Sequence, residues 1–376
     1  MPKKEFENDS KTLEQLKHLG KKIKNQLDDP EEEDLTFDTQ VRSRSNVEYD
    51  EEEGRLALGD SYSTRKFLNI SHARKFMQTL MVASKTKELI ESGRTAAIRE
   101  VYYQLKHSVP GLDENTFEDQ DESNNVVVDI ETATGAIRED LHLFAEKKGS
   151  LFGPVVINDS GDEIDCMNMG TSGLAIPSIV DHYEFVECDA DFILLVETSA
   201  MVNRLVEEDF HEEMNAVVIS AGGQPSRGVR RLVNIMHNRL DLPVYVFTDG
   251  DPWGYYIYSV LKSGSMSLAF QSDRLATPDA RLVGMTMEDI DEYGLEHVTE
   301  DLKGKPEGNG GPTKDYKRIH DVMDYEWMQN DQWQNQFQKM LDKGVRVEQQ
   351  ALAANSLEFV ANTYLPEKIE NEEFLN

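Results

Sequence analysis

The chain has 376 residues, enough for about two domains with separate cores, and its two cysteines fit no metal-binding spacing. It has neither a signal-like start nor an apolar run of about 18 residues, which excludes a secreted or membrane-spanning protein and predicts a cytoplasmic one. The formal net charge of −32, spread along the chain, argues against a nucleic-acid partner at low salt but suits a high-salt cytoplasm, where charges are screened; an acidic mesophilic protein is the alternative.

Residues 1–65 predict an acidic N-terminal extension. Charged patches alternate there with turn-forming residues, which favours an extended or partner-dependent arm with one short helix near its start. Ordered structure is expected from about residue 66. Ser71 can cap a first helix that Gly93 ends, and Thr95 can cap a second one.

A third helical pattern covers residues 132–149, and a strand-like pair follows in SLFGPVVI, residues 150–157. Three short helices followed by a small hairpin are typical of a winged helix-turn-helix domain. The sequence therefore predicts a winged-helix domain over residues 66–158.

Two adjacent tyrosines lie in the second helical pattern, IREVYYQLKH, residues 98–107. Ile98, Tyr102 and Leu105 follow the spacing of a buried helical stripe. The spacing therefore predicts that Tyr102 belongs to the core and that its neighbour faces outward.

Tyr103 is predicted on the neighbouring face, together with the cationic or protonatable residues Arg99, Lys106 and His107. A phenol attacks poorly unless a base removes its proton or positive charge stabilises the phenolate. An arginine one turn away can also hold a phosphate through two hydrogen bonds. The pattern fits a tyrosine that attacks a phosphodiester, with His107 as a weak candidate base. An ordinary exposed tyrosine beside a surface histidine is the alternative.

From residue 190 the pattern changes to short apolar runs that alternate with helical stretches. This alternation predicts parallel βαβ units, and therefore an α/β domain over residues 159–376. Mostly helical sequence follows a polar, glycine-rich loop at residues 303–315. The predicted strands are 192–196, 216–220 and 244–247, with weaker candidates at 267–270 and 281–285.

Three carboxylates follow two of these predicted strands. Glu197 ends the first strand, and Asp249 and Asp251 follow the third in FTDGDP. Because ligands bind beyond the carboxyl ends of parallel strands, we expect the three side chains to converge. Carboxylates without a nearby lysine or histidine repel one another, and oxygen ligands favour Mg²⁺. A tight turn rich in Asp and Gly is the alternative for DGD.

A basic cluster leaves the second predicted strand in GGQPSRGVRR, residues 222–231. Free backbone N–H groups at the helix start and the side chains of Arg227, Arg230 and Arg231 can receive a DNA phosphate. A glycine turn followed by a solvated helix face is the alternative. A weaker basic patch lies in RKFLNISHARK, residues 65–75.

The combination of motifs resembles a known family. The glutamate after one strand and the DxD after another resemble the Toprim domain of topoisomerases, some primases and some nucleases. The upstream RxxYY and GGQPSRGVRR narrow the resemblance to the A subunit of archaeal DNA topoisomerase VI, which is related to the eukaryotic meiotic double-strand-break transesterase. The resemblance covers about residue 66 to near the C-terminus, and with the charge it suggests a halophilic archaeon. It implies a CAP-like winged helix before a Toprim domain with C-terminal helices.

The resemblance also implies roles for individual residues. Tyr103 would be the nucleophile and Arg99 would position the scissile phosphate. Glu197, Asp249 and Asp251 would hold Mg²⁺.

For the assembly, the resemblance implies a dimer of A subunits that cleaves both DNA strands through 5′-phosphotyrosyl bonds, passes a second duplex and reseals the break, which relaxes supercoils and decatenates DNA. ATP would bind to a separate B subunit in an A2B2 heterotetramer. The chain contains no G-x-x-x-x-G-K-[ST] loop, which agrees with ATP bound elsewhere.

Two other functions stay open from the residues alone. One is a stand-alone Toprim nuclease or break-forming transesterase that does not reseal DNA. The other is a winged-helix DNA-binding scaffold without catalysis.

Overall fold

The computed structural model describes residues 8–29, 31, 33–111, 113–302 and 313–376. The chain forms two compact units, one from residues 1–46 and 58–146 and the other from residues 47–57 and 147–376. These limits differ from the predicted domain boundaries at residues 65 and 158. No helix in the described ranges is both long and apolar enough to cross a membrane.

The first unit is mainly helical. Its helices share a core with Val82, Val101 and Ile130 at its centre. Two small pairs of strands accompany them, one antiparallel and one parallel. The helices are Asp9–Asp28, Ile70–Ser92, Ile98–Leu105 and Gln120–Thr134, and the strand pairs are Thr36–Gln40 with Tyr62–Lys66 and Ala96–Ala97 with Leu143–Phe144.

The described part of the N-terminal segment is not an extended arm, although the helix predicted near its start is present and is longer than predicted. Asp9–Asp28 is a helix of 20 residues, and it buries Leu16 and Ile23 on one face. Ile23 packs with Phe37 and Phe76 in a small apolar cluster. The apolar positions recur at helical spacing within a strongly charged segment. The prediction from composition and charge therefore overlooked a long amphipathic helix.

Two predicted helix starts are also wrong. The first helix begins at Ile70 because the Asn69 side chain accepts a hydrogen bond from the Ser71 N–H, so Ser71 lies inside the helix. The second helix follows Ala97, whose N–H donates to the Glu100 carboxylate at 2.7 Å, and Thr95 lies outside it. Gly93 ends the first helix as predicted, in the left-handed conformation that favours glycine.

The third helix lies earlier than predicted. It spans Gln120–Thr134, with the Asp119 side chain capping its start and Gly135 in the left-handed conformation at its end. Residues 135–142 form no helix. The predicted hairpin at 150–157 is likewise wrong, because Ser150–Phe152 and Val155–Asp159 pair with other strands and in different sheets.

The second unit is built on a six-stranded mixed sheet. The predicted strands Phe192–Val196, Ala216–Ser220 and Val244–Phe247 are confirmed, and they pair in parallel with the first strand in the middle. The candidate at 281–285 forms the parallel edge strand Arg281–Gly284, whereas residues 267–270 lie in a 3₁₀ helix. The strand order is Leu174–Ala175, Ser150–Phe152, Ala216–Ser220, Phe192–Val196, Val244–Phe247, Arg281–Gly284.

Helices and smaller sheets complete this unit. Glu184–Cys188, Val155–Asp159 and Asp162–Asp165 form a three-stranded antiparallel sheet. Two-stranded sheets pair Val47–Asp50 with Arg55–Leu58 and Glu300–Asp301 with Val345–Arg346. The helices are Ser199–Glu207, Phe210–Glu213, Arg227–Leu240, Pro252–Ser263, Ser272–Leu275, Met287–Glu292, Lys314–Met323, Asp331–Lys343 and Leu365–Glu370. The C-terminal part is therefore mostly helical, as predicted, and residues 303–312 of the predicted loop lie outside the described residues.

The order of the parallel strands changes direction at the central strand of the sheet. The chain moves from the central strand Phe192–Val196 to Ala216–Ser220 on one side and then to Val244–Phe247 on the other. The crevice beyond the carboxyl ends of such neighbouring strands is the usual ligand site of open α/β sheets. Glu197, Asp249 and Asp251 all follow strands that end at this crevice.

Candidate active site

The tyrosine helix, Ile98–Leu105, presents one tyrosine to the core and the other to solvent. Tyr102 is 8% exposed and Tyr103 is 61% exposed, which confirms the assignment from helical spacing. Ile98 and Leu105 are half-buried against the same core, and Val101 is buried with them. The side chains therefore have the directions that a helical period of 3.6 residues dictates.

Tyr102 is fixed by hydrogen bonds as well as by burial. Its hydroxyl donates to the Glu118 carbonyl oxygen at 3.0 Å and accepts from the Lys106 Nζ at 2.9 Å. Lys106 also donates to the Glu118 carbonyl oxygen at 2.9 Å. Lys106 is thus directed towards Tyr102, whereas the sequence predicted it beside Tyr103.

Tyr103 has a cation within reach of its ring. The Arg99 guanidinium carbon lies 6.0 Å from the ring centroid, one helical turn away as predicted. His107 lies beyond the end of the helix, and its backbone N–H donates to Thr116 Oγ1 at 2.9 Å. His107 therefore does not extend the helical face of Tyr103, which removes the geometric reason for considering it as the base.

The predicted carboxylates converge at the carboxyl edge of the sheet. The Glu197 N–H donates to the Phe247 carbonyl oxygen at 2.9 Å, which aligns the ends of the two strands. The Asp249 N–H donates in turn to Glu197 Oε2 at 3.0 Å. The glutamate at one strand end and the first aspartate of DGD are therefore direct neighbours.

Asp251 serves as the cap of the next helix. Its Oδ1 accepts hydrogen bonds from the N–H groups of Trp253, at 2.9 Å, and Gly254, at 2.6 Å. A side chain at Gly254 would collide with the backbone of Asp249, so glycine is required for the tight turn. The sequence DGDPWG thus folds both aspartates into the crevice.

All three carboxyl groups have raised pKa values, because they are buried close to other carboxylates. Burial, reinforced by the charge of Asp249, raises the pKa of Glu197 to about 8. Burial also raises the pKa of Asp249 to about 6, against the lowering effect of its hydrogen bond from the Gln349 N–H. The pKa of Asp251 is raised by burial too. Carboxylates packed at this density favour a bound cation.

The oxygen atoms of this cluster fit Mg²⁺, although the side chains do not form a closed ligand set. No group of three His, Cys, Asp or Glu residues in the described part of the chain stands in metal-binding geometry. Hydrogen bonds to described residues engage Glu197 Oε2, Asp249 Oδ1 and Asp251 Oδ1, and leave the second oxygen of each carboxylate available. Hard carboxylate oxygens are nevertheless the ligands that Mg²⁺ prefers.

The three predicted DNA-binding arginines have different environments. Arg231 pairs with Asp181, with its Nε 2.8 Å from Oδ1, and the same carboxylate also binds Arg274. Arg230 is 4% exposed, and its Nε and Nη1 atoms have no hydrogen-bond partner among the described residues. Burial, followed by the charge of Arg227, lowers the pKa of Arg230 to about 10. The structure therefore does not present the three side chains as one solvated basic face.

Sequence reasoning missed the C-terminal contribution to the carboxylate cluster. Gln349 is fully buried beside Asp249, and the negative charge of Glu348 contributes to the raised pKa values of Glu197 and Asp249. The segment RVEQQ, residues 346–350, carries no motif and lies about 100 residues further along the chain. Only the folded chain brings it to the site.

Comparisons with known families cover most of the chain. Residues 74–143 match the model of the type IIB DNA topoisomerase N-terminal family, and residues 145–189 match the all-beta domain in the DNA topoisomerase VI alpha subunit. Residues 192–369 match the Toprim domain of the topoisomerase 6 A subunit and Spo11. The Toprim match contains the carboxylate cluster, and the N-terminal match contains the tyrosine helix.

Individual relatives extend the similarity to the entire chain. The A subunit of type 2 DNA topoisomerase 6 from Pyrococcus abyssi is 49% identical over 100% of this chain and 98% of that protein. The corresponding proteins from Haloarcula marismortui and Saccharolobus shibatae are 39% and 36% identical, over 95% and 91% of each chain. The alignment with the Pyrococcus abyssi protein includes the first 65 residues, which corrects the expectation that the resemblance begins at about residue 66. The chain belongs to the family of type 2 DNA topoisomerase 6 A subunits, the DNA-cleaving subunits of type IIB topoisomerases.

Proposed function

We propose that this chain cleaves DNA through Tyr103. The observation that carries the proposal is the exposed phenol beside Arg99, on a helix whose other tyrosine is held in the core. The Tyr103 hydroxyl loses its proton to water as its oxygen attacks a DNA phosphorus atom and forms a 5′-phosphotyrosyl bond. The bond from phosphorus to the 3′ oxygen breaks, and that oxygen takes up a proton from water and leaves as a hydroxyl. Attack by that hydroxyl reverses the step, so resealing needs no nucleotide.

Arg99 is proposed to position the scissile phosphate. A guanidinium binds two phosphate oxygens at once and stays protonated at physiological pH. Its position one turn before Tyr103, near the ring, supports a phosphate held next to the attacking oxygen.

Glu197, Asp249 and Asp251 are proposed to hold Mg²⁺. When bound, the ion would neutralise phosphate charge and orient the DNA backbone. The protein residues contribute the fixed oxygen ligands, and the hydrogen bond from the Asp249 N–H to Glu197 keeps two of them adjacent. The convergence of these residues at the strand ends supports this role.

DNA binding by Arg227, Arg230 and Arg231 stays a proposal with unequal support. Arg230 offers two buried N–H groups without a partner among the described residues, so a phosphate oxygen would satisfy them. Arg227 starts the helix whose N-terminal N–H groups favour an anion. Arg231 must first give up its ion pair with Asp181, which weakens its case.

The proposed assembly follows the family. Two copies of this chain would form a homodimer, each supplying one tyrosine, and an ATPase B subunit would complete an A2B2 heterotetramer that relaxes supercoils and decatenates DNA. A CAP-like winged helix over residues 66–158 and a Toprim domain over residues 159–376 stay proposals about domain architecture. A cytoplasmic location and a halophilic archaeal origin also stay proposals, the latter supported by the net charge of −32.

The N-terminal segment is proposed to dock the B subunit. Deleting residues 1–65 is a poor test, because it would remove Leu16, Ile23 and Phe37 from apolar clusters. Charge reversal at exposed lysines of the first helix, such as Lys21 and Lys24, leaves those clusters intact. If these variants keep their stability and assemble more weakly with the B subunit, docking is supported; unchanged assembly would contradict it.

A covalent capture experiment tests the proposed chemistry. The reaction contains the chain, its candidate B subunit, supercoiled DNA, Mg²⁺, ATP and about 1 M KCl, and it is quenched with detergent. The salt screens the acidic surface. After nuclease digestion, mass spectrometry should find a nucleotide attached to Tyr103. Glu197→Gln and Asp249→Asn should reduce the amount of adduct. An assembled complex without an adduct, or with one on another residue, would overturn the proposal.

A further inference from the structure

A C-terminal segment crosses the carboxylate cluster. Val347 pairs with Gly250 in an antiparallel bridge, with N–H to carbonyl distances of 2.8 and 3.1 Å. Gly250 is the residue between Asp249 and Asp251, so the bridge holds the segment directly against the DGD turn. The residues that follow Val347 therefore lie beside the carboxylates.

Gln349 uses three groups to connect the two strand ends of the cluster. Its backbone N–H donates to Asp249 Oδ1 at 2.8 Å. Its side-chain Nε2 donates to the Phe247 carbonyl oxygen at 2.6 Å, and its Oε1 accepts from Thr198 Oγ1 at 3.0 Å. Phe247 precedes the DGD turn and Thr198 follows Glu197, so one buried amide joins both supports of the cluster.

We propose that Gln349 is a positioning residue that fixes Asp249 and the end of the Glu197 strand at the spacing needed to bind a divalent cation. The inference rests on the proposed Mg²⁺ role of these carboxylates. Gln349 does not contact the metal in this proposal. It acts by holding one Asp249 oxygen through its N–H and by bridging the two strand ends through its amide.

The physical reason is the mutual repulsion of the carboxylates. Without fixed supports, like-charged side chains at a strand edge turn apart, and a cation must then draw them together as it binds. Hydrogen bonds outside the ligand shell remove that cost by holding the ligands in place beforehand. An amide suits this position because its oxygen accepts from Thr198 and its nitrogen donates to Phe247. Methionine has a similar length, but its sulfur cannot donate a hydrogen bond and accepts only weakly.

The inference is tested by a calorimetric titration of the purified full-length chain with Mn²⁺ alone. Mn²⁺ is suitable because it shares the preference of Mg²⁺ for oxygen ligands. Gln349→Met should weaken Mn²⁺ binding by about tenfold, as changes of such supporting residues do. The matched control is Gln336→Met. Gln336 is also buried, and its amide accepts from the Met287 N–H at 2.9 Å and donates to Glu288, outside the cluster. This control should lower stability and leave Mn²⁺ affinity unchanged.

A second readout separates positioning from general loss of activity. In the assembled complex, Gln349→Met should raise the Mg²⁺ concentration that gives half-maximal covalent capture, while capture at saturating Mg²⁺ should approach that of the unaltered chain. If Gln349→Met does not fold, Thr198→Val takes its place. Thr198→Val removes one hydrogen bond to Gln349 and should weaken Mn²⁺ binding by a factor of about three.

The outcomes distinguish this inference from the proposed function. An unaltered chain that binds no Mn²⁺ would contradict the proposed metal role itself. Binding by the unaltered chain together with equal affinity in a folded Gln349→Met, or in Thr198→Val if that variant is used, would overturn the positioning role alone. Equal losses of affinity in Gln349→Met and Gln336→Met would assign the effect to general destabilisation and would also overturn it.

Discussion

Replacing each tyrosine of the pair by phenylalanine removes one hydroxyl group and keeps the ring. Because Tyr102 is buried and Tyr103 is exposed, the two changes act on different properties. Tyr102→Phe should lower stability and preserve DNA cleavage. Tyr103→Phe should preserve stability and abolish the covalent adduct.

The expected stability loss follows from the contacts of the Tyr102 hydroxyl. Tyr102→Phe removes the hydrogen bond from the hydroxyl to the Glu118 carbonyl oxygen, worth about 1 kcal/mol. It also removes the hydrogen bond that the hydroxyl accepts from Lys106 Nζ, but Lys106 is partly exposed and keeps the Glu118 carbonyl oxygen as a partner. The carbonyl oxygen keeps its hydrogen bond from Lys106 Nζ and is not left without a partner, so the loss stays near this value. A change of about 1 kcal/mol corresponds to a fall in melting temperature of about 3 °C. For Tyr103→Phe the free energy of unfolding should change by less than about 0.5 kcal/mol, because exposed substitutions rarely do more.

Thermal melting of each purified variant and detergent-trapped capture of labelled DNA give the two measurements. Arg99 can remain beside a phenylalanine ring, so loss of the adduct in Tyr103→Phe reports the missing hydroxyl. An adduct that persists in Tyr103→Phe would refute the assignment of the nucleophile. Equal falls in melting temperature would refute the assignment of buried and exposed faces.

Four further predictions concern stability, reactivity and salt. Arg230→Met should raise the free energy of unfolding, measured in urea, by about 1–3 kcal/mol, because it removes a buried cation whose Nε and Nη1 have no hydrogen-bond partner among the described residues. It should also weaken DNA binding, and a loss of stability would contradict the prediction. Lys368→Met should lower stability by about 3–5 kcal/mol, because it leaves the fully buried Asp289 carboxylate without the ammonium group that lies 2.9 Å away. Burial alone would lower the pKa of Lys368, but the charge of Asp289 raises it overall. The stabilisation by this ion pair should therefore stay constant from pH 7 to about 10 and be lost only above the pKa of lysine in the unfolded chain. A decline in stability near pH 8 would argue against the ion pair. Burial raises the pKa of the Cys166 thiol to about 12, so iodoacetamide at pH 8 should label the partly exposed Cys188 first, as peptide mapping can show, and faster labelling of Cys166 would contradict its burial. Raising KCl from about 0.1 to 1 M should increase the melting temperature because it screens the net charge of −32, and a flat response would argue against adaptation to high salt.

Local sequence signals predicted part of the fold well. The strands Phe192–Val196, Ala216–Ser220 and Val244–Phe247 were predictable because each is an uninterrupted apolar run, as expected for parallel strands buried on both faces. The same local reasoning placed helix starts poorly. Asn69 and Asp119 act as caps, and both are residues that sequence rules favour, but several candidate caps competed within a few positions.

The N-terminal segment differs from what its charge predicts. Its acidic composition favoured an extended or partner-dependent arm with one short helix, yet Leu16 and Ile23 form an apolar stripe that packs into the first unit. A helix with such a narrow apolar stripe is stable only when another surface of the protein covers the stripe. Composition alone contains no information about that covering surface.

Some features of the candidate site were likewise predictable from local sequence. The exposed face of Tyr103 follows from helical periodicity, and the convergence of Glu197, Asp249 and Asp251 follows from the rule that parallel strands end at one edge. These relations involve residues within one element or one repeated topology. The sequence could therefore determine them without knowledge of the complete fold.

Long-range packing decided the remaining features. Arg230 and Arg231 look alike in the sequence, but helix packing buries the first, and Asp181, some 50 residues earlier, pairs with the second. Gln349 reaches Asp249 across 100 residues of chain. Such contacts depend on which surfaces meet after folding, and the free energy of burying each group depends on that complete environment. The sequence by itself therefore determined the exposed face of Tyr103 and the edge of the sheet where the carboxylates meet. The tertiary structure decided which residues support them, because those contacts join distant parts of the chain.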